Sequence, residues 1–211
     1  MRIALIHALR HSPPPIEAAL ARLWPEARPM NLLDDSLSAD LAREGRLTPA
    51  MTERFLTLAR YAVGTGARGI LFTCSAFGPC IEAVARELVP MPVLKPNEAM
   101  IEEAAAAGQR IGLLASFAPT LDSMPPEFPS GITLVPCHAE GALAALDAGD
   151  GAAHDRLAAE AARRAFAGCA AVALAQFSLA RAADAVAAAT GLPVLTTPDS
   201  AVRKLRRLLE G

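Results

Sequence analysis

The sequence predicts an α/β protein of two pseudo-symmetric lobes, each a parallel sheet flanked by helices. Three observations predict this architecture. Short apolar runs alternate with helical stretches, three segments recur in the same order in both halves, and polar residues follow the predicted strands. Alternating strands and helices require parallel pairing with right-handed crossovers. The predicted lobes are residues 1–95 with 197–211, and residues 96–196.

The duplication rests on three pairs of segments. Residues 2–6 match 110–114, residues 66–75 match 168–177, and residues 92–96 match 193–197. The two segments of each pair lie at corresponding places in the two halves, and the three pairs follow the same order. This is expected for two copies of one α/β unit. The second pair places Gln176 opposite Cys74, which makes these two positions equivalent.

Composition excludes several classes of function. The 211 residues are 53% hydrophobic, enough for a sizeable core, and 20 Lys and Arg against 22 Asp and Glu give a net charge of −2. That balance provides no broad positive field, so no nucleic-acid partner is predicted. No apolar run is long enough to span a bilayer, and the N-terminus is typical of a first strand rather than a secretion signal. A cytoplasmic protein without a membrane partner is therefore predicted.

The sequence also predicts neither a metal nor an organic cofactor. The four cysteines lack paired C-x-x-C spacing, which argues against a zinc site or a disulfide framework. His7 and His11 have helical spacing, but residues 12–15 disfavour a helix there. Residues 64–69 fit G-x-G-x-x-G, yet they follow a helix and precede a strand, the reverse of a dinucleotide-binding site.

Cys74 lies where an apolar strand turns into a helix that begins near Pro79. Unpaired backbone N–H groups and the helix dipole at such an elbow favour the thiolate, so we predict a pKa below the usual value of about 8.5. The same N–H groups can hold a carboxylate. A buried, inert thiol is the alternative for Cys74, and it is the prediction for Cys80, Cys137 and Cys169.

Gln176 ends the equivalent strand of the second half. An amide cannot be a proton base, but its N–H groups can stabilise developing negative charge; a helix cap or packing amide is the alternative. Residues 111–120 form a third elbow, with Ser116 and Thr120 flanking Pro119. His7 ends the first strand and could exchange a proton with Cys74 or with substrate, although strand-end histidines are more often structural.

Ligands of parallel sheets bind beyond the carboxyl ends of the strands, so a cleft between the lobes is predicted. Its expected lining comprises His7, Asp34, Asp35, residues 73–77, residues 116–120 and residues 176–178. The predicted catalytic residues are Cys74, Gln176 and His7. The predicted substrate-binding residues are Thr73, Ser75, Ala76, Ser116, Phe117, Thr120, Phe177 and Ser178.

These motifs resemble the aspartate/glutamate/hydantoin racemase superfamily, which also contains arylmalonate decarboxylase and maleate isomerase. The resemblance covers nearly the whole chain and is most specific at the 73–75 elbow. It implies two flavodoxin-like lobes and an active site without cofactors. It further implies that two facing cysteines remove and return an α-proton. Cys74 matches the first cysteine, but Gln176 stands where the second is expected, which departs from the two-thiol pattern.

The resemblance therefore predicts an isomerase similar to amino-acid and hydantoin racemases, acting through Cys74 at the α-carbon of a small carboxylate or related compound. A decarboxylase or lyase with one thiol is an alternative, since arylmalonate decarboxylase also works with one thiol, on the other lobe. A protein that only binds small carboxylates is a second alternative from a different class. A flavodoxin-like domain that binds something unrelated is a third. The expected partner is a small carboxylate, and a homo-oligomer is possible.

Overall fold

The structure is a computed structural model, and it describes residues 1–10 and 12–211. His11, half of the rejected histidine pair, lies outside this part. The first half of the chain contains β1 Arg2–His7, α1 Pro13–Leu23, β2 Arg28–Leu33, α2 Ser36–Glu44, α3 Pro49–Gly64, β3 Gly69–Phe72, α4 Gly78–Glu87 and β4 Val93–Leu94. The second half contains α5 Glu98–Ala107, β5 Arg110–Ala115, α6 Thr120–Ser123, β6 Thr133–His138, α7 Ala142–Asp147, α8 Gly151–Ala165, β7 Ala171–Leu174, α9 Ala183–Thr190, β8 Val194–Thr196 and α10 Thr197–Glu210.

The eight strands in the described part of the chain form two parallel sheets of the same topology. The first sheet has the order β2-β1-β3-β4, and the second has the order β6-β5-β7-β8. In both sheets the first and third strands of the unit pair in the centre, with Ile3 opposite Gly69 and Ile111 opposite Ala171. This repeated parallel arrangement with flanking helices confirms the predicted fold class.

The chain divides into two compact units. The first unit is Met1–Pro96 with Ala201–Gly211, and the second is Asn97–Ser200. The last helix, α10, therefore contributes its final turns to the first unit. There the Trp24 indole N–H donates to Glu210 Oε1 at 2.8 Å, and Arg206 donates to the Leu23 carbonyl at 2.9 Å. These bonds tie the chain end to α1.

Each unit buries its own apolar core around its central strands. In the first unit, Phe55 on α3 stacks on Phe72 at the end of β3, with ring centroids 5.1 Å apart. In the second unit, Phe166 packs over β5 at Gly112, where an added Cβ would lie 2.7 Å from the ring. Glycine at this position therefore lets the aromatic ring approach the strand closely. The two central strands that lead into the elbows, β3 and β7, are buried along their whole length.

Local sequence explains where the main helices begin. Thr48 caps α3 by accepting a hydrogen bond from the Met51 N–H at 3.3 Å, and Pro49 occupies the first turn. Asp150 caps α8 in the same way through the Ala153 N–H at 2.9 Å. Across residues 1–10 and 12–211, none of the helices has the length and apolarity that crossing a membrane requires.

Candidate active site

Cys74 lies at the elbow that the sequence predicts. It follows β3 by two residues in an extended conformation, with φ of −126° and ψ of 116°, and a short 3-10 turn, Ser75–Phe77, leads from it into α4. The cysteine is half-buried, whereas Ser75 and Ala76 are exposed and Phe77 is buried. The sulfur is therefore partly shielded by the first-unit core and partly accessible.

Burial raises the pKa of the Cys74 thiol. Hydrogen bonds from the Ala76 backbone N–H and the Ser38 hydroxyl lower it, but by less than burial raises it. The predicted lowering of this pKa is therefore wrong, because loss of hydration outweighs the two donors that the elbow and α2 supply. In the resting protein at neutral pH the sulfur carries its proton.

Ser38 is a residue of this site that the motifs do not reveal. It lies on α2, where its hydroxyl oxygen is 2.9 Å from the Ala8 carbonyl oxygen and also near the Cys74 sulfur, so its single proton can go to either acceptor. Nothing in the spacing of residues 34–40 distinguishes this serine from an ordinary helix-start residue. Only the packing of α2 beside the end of β1 brings it to the thiol.

His7 is buried and both of its ring nitrogens have partners. Nδ1 lies 2.8 Å from Thr73 Oγ1, and Nε2 lies 2.9 Å from Asn31 Oδ1. The Asn31 amide in turn donates to Glu17 Oε1 at 2.6 Å. Burial lowers the pKa of His7, although Asn31 and Glu17 oppose that effect, so the ring is neutral at neutral pH.

The two aspartates of the predicted lining are held in ion pairs. Arg54 on α3 bonds to Asp34 and also to Asp40 on α2, at 2.6 Å for the latter, while Arg10 pairs with Asp35. Burial raises the pKa of Asp34, but hydrogen bonds from Ser36 and Arg54 outweigh it and leave the pKa below its ordinary value. These carboxylates hold the segment between β2 and α2 and are poor candidates for a base.

Gln176 occupies in the second unit the position that Cys74 occupies in the first. It follows β7 by two residues and precedes a 3-10 turn, Phe177–Ala182. Its Oε1 atom accepts three hydrogen bonds, from the Ser116 N–H at 2.7 Å, the Ser116 hydroxyl at 3.1 Å and the Phe117 N–H at 3.2 Å. Because these donors saturate the oxygen, the amide can offer a ligand only its N–H groups.

The other predicted binding residues of the second unit lie around this contact. Ser116 is buried and Phe117 is half-exposed, while Thr120 begins α6. Phe177 is buried, and Ser178 is partly exposed. His138, which the sequence argument passes over, ends β6, and its Nε2 lies 3.3 Å from the Ser116 carbonyl oxygen. Of this set, only Ser116 and Phe117 contact Gln176 through hydrogen bonds that the structure records.

An ion pair fixes the segment that follows Gln176. Arg181 bonds to both carboxylate oxygens of Asp155, at 2.8 and 3.1 Å, and the His154 ring also bonds to Asp155 at 2.8 Å. The guanidinium lies directly over Gly151, where an added Cβ would lie 2.3 Å from a guanidinium nitrogen. This cluster ties the 3-10 turn to the start of α8.

The remaining cysteines and the acidic groups do not form a second site. All four cysteines are free thiols, with Cys80 and Cys169 buried and Cys137 half-buried. Cys80 Sγ lies 3.4 Å from Thr52 Oγ1, so it packs between α3 and α4. Apart from residue 11, which the structure does not describe, no group of three or more His, Cys, Asp and Glu side chains is arranged to hold a metal ion.

Comparison with solved structures shows the fold. Allantoin racemase from Klebsiella pneumoniae superposes with a TM-score of 0.74 at 21% identity, over 100% of this chain and 88% of that one. An aspartate racemase homologue from Pyrococcus horikoshii OT3 gives 0.72 at 16% identity, over 100% and 99%. Unliganded arylmalonate decarboxylase gives 0.64 at 19% identity, over 100% and 93%. These proteins match the superfamily that the sequence resembles.

No protein-family model matches the chain, and no curated protein matches it by sequence. The relationship is therefore one of fold.

Proposed function

We propose that this protein is a cofactor-independent enzyme that acts at the α-carbon of a small carboxylate, with Cys74 as the group that transfers the proton. The observation that carries the proposal is the position of Cys74. A half-buried thiol follows a central parallel strand at an elbow, where the Ala76 backbone N–H and the Ser38 hydroxyl partly offset the rise in its pKa. The chain shares its fold with racemases and a decarboxylase, which supports the same proposal.

The two elbows are suited to different tasks in such a reaction. A thiol can accept or donate a proton, and its exposed neighbour Ser75 offers a backbone N–H group to a carboxylate, whereas the Ala76 N–H already bonds to the sulfur. Gln176 cannot be a base, and its saturated oxygen leaves only donors, which stabilise the negative charge of an enolate-like intermediate. Thr73, Ser116, Thr120, Phe177 and Ser178 remain proposed as surroundings of substrate.

Isomerisation in the manner of amino-acid and hydantoin racemases is one reaction open to this site. Inversion at carbon needs a base on one face and a proton donor on the other. Here the second thiol is replaced by Gln176, and the His7 ring nitrogens are already hydrogen bonded. An isomerase would therefore need water, or the substrate itself, to deliver the proton to the face of the α-carbon opposite Cys74.

Two observations favour the second candidate, a decarboxylase or lyase with one thiol. Cys74 is protonated at rest because burial raises its pKa, and the second unit offers an amide in place of a second thiol. In such a reaction the substrate loses carbon dioxide, the bonding electron pair stays on the substrate as an enolate, and the thiol proton passes to the α-carbon. The thiolate then regains a proton from solvent. A single protonated thiol suffices for this sequence.

The experiment that tests the proposal uses deuterated water and a panel of small α-substituted acids, hydantoins and malonates. We expect α-deuterium, with released carbon dioxide for malonates, and a loss of about 10³-fold in rate for Cys74→Ser. Cys137→Ser is the matched control, because it changes a half-buried thiol of the second unit and should keep the wild-type rate. Equal rates for wild type and Cys74→Ser on every active substrate would reject the role of Cys74.

The binding-only alternative makes a different prediction in the same assay. A protein that only binds small carboxylates would show saturable binding by calorimetry with no α-deuterium and no carbon dioxide on any compound. That result would replace the enzymatic proposal with the binding one.

A further inference from the structure

Four side chains of the first unit form a continuous hydrogen-bonded relay, Glu17, Asn31, His7 and Thr73. The relay begins on exposed α1 at Glu17, passes through β2 and β1, and ends at Thr73, the residue that directly precedes Cys74. Its three links measure 2.6, 2.9 and 2.8 Å. His7 and Thr73 are 1% and 5% exposed, so the inner half of the relay is shielded from water.

The direction of every hydrogen bond in the relay follows from its acidic end. The Glu17 carboxylate only accepts, so the Asn31 amide turns its NH2 group outward and its Oδ1 inward. Asn31 Oδ1 can only accept, so His7 Nε2 carries the ring proton. His7 Nδ1 is then an acceptor, and the Thr73 hydroxyl must donate to it.

From this chain of contacts we propose that His7 is a positioning residue, which fixes Thr73 and through it the Cys74 elbow, rather than an acid or base. The inference deepens the proposed function and rests on it. It also commits the Thr73 hydroxyl proton to His7, so Thr73 cannot donate that proton to a substrate carboxylate. Glu17 and Asn31 act through His7 in the same way.

Without His7, the Thr73 hydroxyl has only a distant alternative acceptor for its hydrogen bond. Its other recorded acceptor is the Ile6 carbonyl at 3.5 Å, which is at the outer limit of a hydrogen bond. A buried hydroxyl that loses its 2.8 Å acceptor must shift to find another. Because Thr73 and Cys74 are adjacent in the chain, such a shift moves the elbow.

A pair of near-isosteric variants separates positioning from proton transfer. Asparagine at position 7 places an amide oxygen near the Nδ1 site and can still accept from Thr73. Glutamine places an amide nitrogen near the Nε2 site and can donate to Asn31, but it leaves Thr73 without its acceptor. Neither amide titrates. We expect His7→Asn to keep kcat within about threefold, and His7→Gln to lower it about tenfold or more with KM nearly unchanged.

Equal losses in His7→Asn and His7→Gln, with one limb missing from the pH profile of both, would overturn the inference in favour of an acid or base. Wild-type rates in both variants would also overturn it, because the relay would then have no effect on the elbow.

Alkylation of Cys74 tests the same inference without any turnover, and so separates its failure from that of the proposed function. We would follow the rate of iodoacetamide modification at Cys74 against pH by mass spectrometry. His7→Asn should keep the wild-type inflection. His7→Gln should loosen the elbow, hydrate the sulfur and move the inflection toward that of free cysteine. Coincident inflections in all three proteins would overturn the inference.

The outer end of the relay offers variants that leave the buried ring in place. Asn31→Leu removes the acceptor of His7 Nε2 at an exposed position, and Glu17→Gln keeps an acceptor for Asn31. Nitrogen NMR of the His7 ring should show the proton on Nε2 in wild type and in Glu17→Gln, and a mixture of tautomers in Asn31→Leu. A wild-type ring with its proton on Nδ1 would contradict the direction of the relay.

Discussion

The two units solve the same structural problem with different residues. In the first unit, the end of β1 is linked to the elbow by His7 and Thr73, and the next residue, Cys74, stays outside that link. In the second unit, the end of β5 is linked to the elbow by Ser116 and Gln176, and Gln176 is the residue equivalent to Cys74. One elbow therefore leaves the Cys74 side chain outside this link, while the other uses the equivalent side chain to hold its own backbone.

The two elbows therefore differ in their hydrogen bonding although the fold around them is repeated. A residue whose acceptor atom is saturated by three donors is anchored, and it can contribute only what remains, here the amide N–H groups. The Cys74 thiol is only partly buried, and no saturating set of donors anchors it. This difference is the basis on which we propose proton transfer for Cys74 and charge stabilisation for Gln176.

The largest expected effect comes from removing each elbow residue in turn. Cys74→Ala should lower turnover by about 10³-fold because the proton-transfer group is lost. Gln176→Ala should lower it by about 10²-fold because only hydrogen-bond donors are lost. Steady-state rates on any substrate found by the deuterium assay check this order, with Cys137→Ala as control. A larger loss for Gln176→Ala than for Cys74→Ala would reverse the assignment of the two elbows.

The anchoring role of Gln176 predicts a second effect, on stability. Gln176→Leu leaves the Ser116 and Phe117 donors without their acceptor and should lower the free energy of unfolding by about 1–3 kcal/mol. Gln176→Glu keeps an acceptor oxygen and should cost much less near neutral pH, while it loses the amide donors needed for turnover. Urea denaturation measures both. If the leucine variant is as stable as the glutamate variant, the three hydrogen bonds do not anchor the elbow.

A smaller effect is expected at the thiol itself. Ser38→Ala removes one of the two donors that lower the Cys74 pKa, so that pKa should rise further and alkylation at pH 8 should slow by a few-fold. Ser36→Ala is the matched control, since Ser36 lies on the same helix but bonds to Asp34. Alkylation that is unchanged in Ser38→Ala would remove Ser38 from the site.

The dependence of stability on pH should carry a contribution from His7. Its folded pKa lies below the unfolded value of about 6.5, so the unfolded chain binds more protons between these two values. The contribution of His7 to the free energy of unfolding is therefore complete above about pH 6.5, and it declines as the pH falls toward the folded pKa. Thermal unfolding of wild type and His7→Asn between pH 5 and 8 checks this. An equal slope in both proteins would show that His7 is not buried in its neutral form.

The smallest expected effects come from the ion pairs that flank each elbow. Asp34 and Asp155 have folded pKa values below their ordinary value. Burial raises both, but hydrogen bonds from Ser36 and Arg54 at Asp34, and from Arg181 and His154 at Asp155, outweigh it. Each contributes stability above about pH 4 that is lost as the pH falls through its folded pKa. Asp34→Asn and Asp155→Asn should therefore flatten the loss of stability in acid, as acid titration of tryptophan fluorescence or circular dichroism would show.

The sequence predicts the apolar central strands well and, through the repeat, also the edge strands β4 and β8, but it misses the opposite edge of each sheet. The central strands β1, β3, β5 and β7 are short apolar runs, and their repetition predicts both sheets. The edge strands β2 and β6 have no comparable signal. Each contains a proline, Pro29 or Pro136, and alternates exposed and partly buried residues, which is how edge strands differ from central ones.

The sequence predicts where the candidate residues lie in the fold but not their electrostatics; their roles stay predictions. Strand ends and the repeat locate Cys74, Gln176, Ser116 and His7. The direction of the Cys74 pKa shift depends on how α2 and the first-unit core cover the sulfur, and residue order does not reveal this coverage. The contacts of Gln176 with Ser116 also require two strands to be adjacent in the sheet, which only the topology supplies.

The proposed role of a protonated Cys74 as proton donor can be checked by measuring turnover and thiol reactivity together. Turnover of a malonate or other substrate and alkylation of Cys74 would be followed against pH in the same buffers. If the thiol is the donor, carbon dioxide release should fall as the pH rises, and alkylation should accelerate over the same pH range. Both inflections should lie above the pKa of free cysteine. Turnover that stays constant or rises across that inflection would contradict the account.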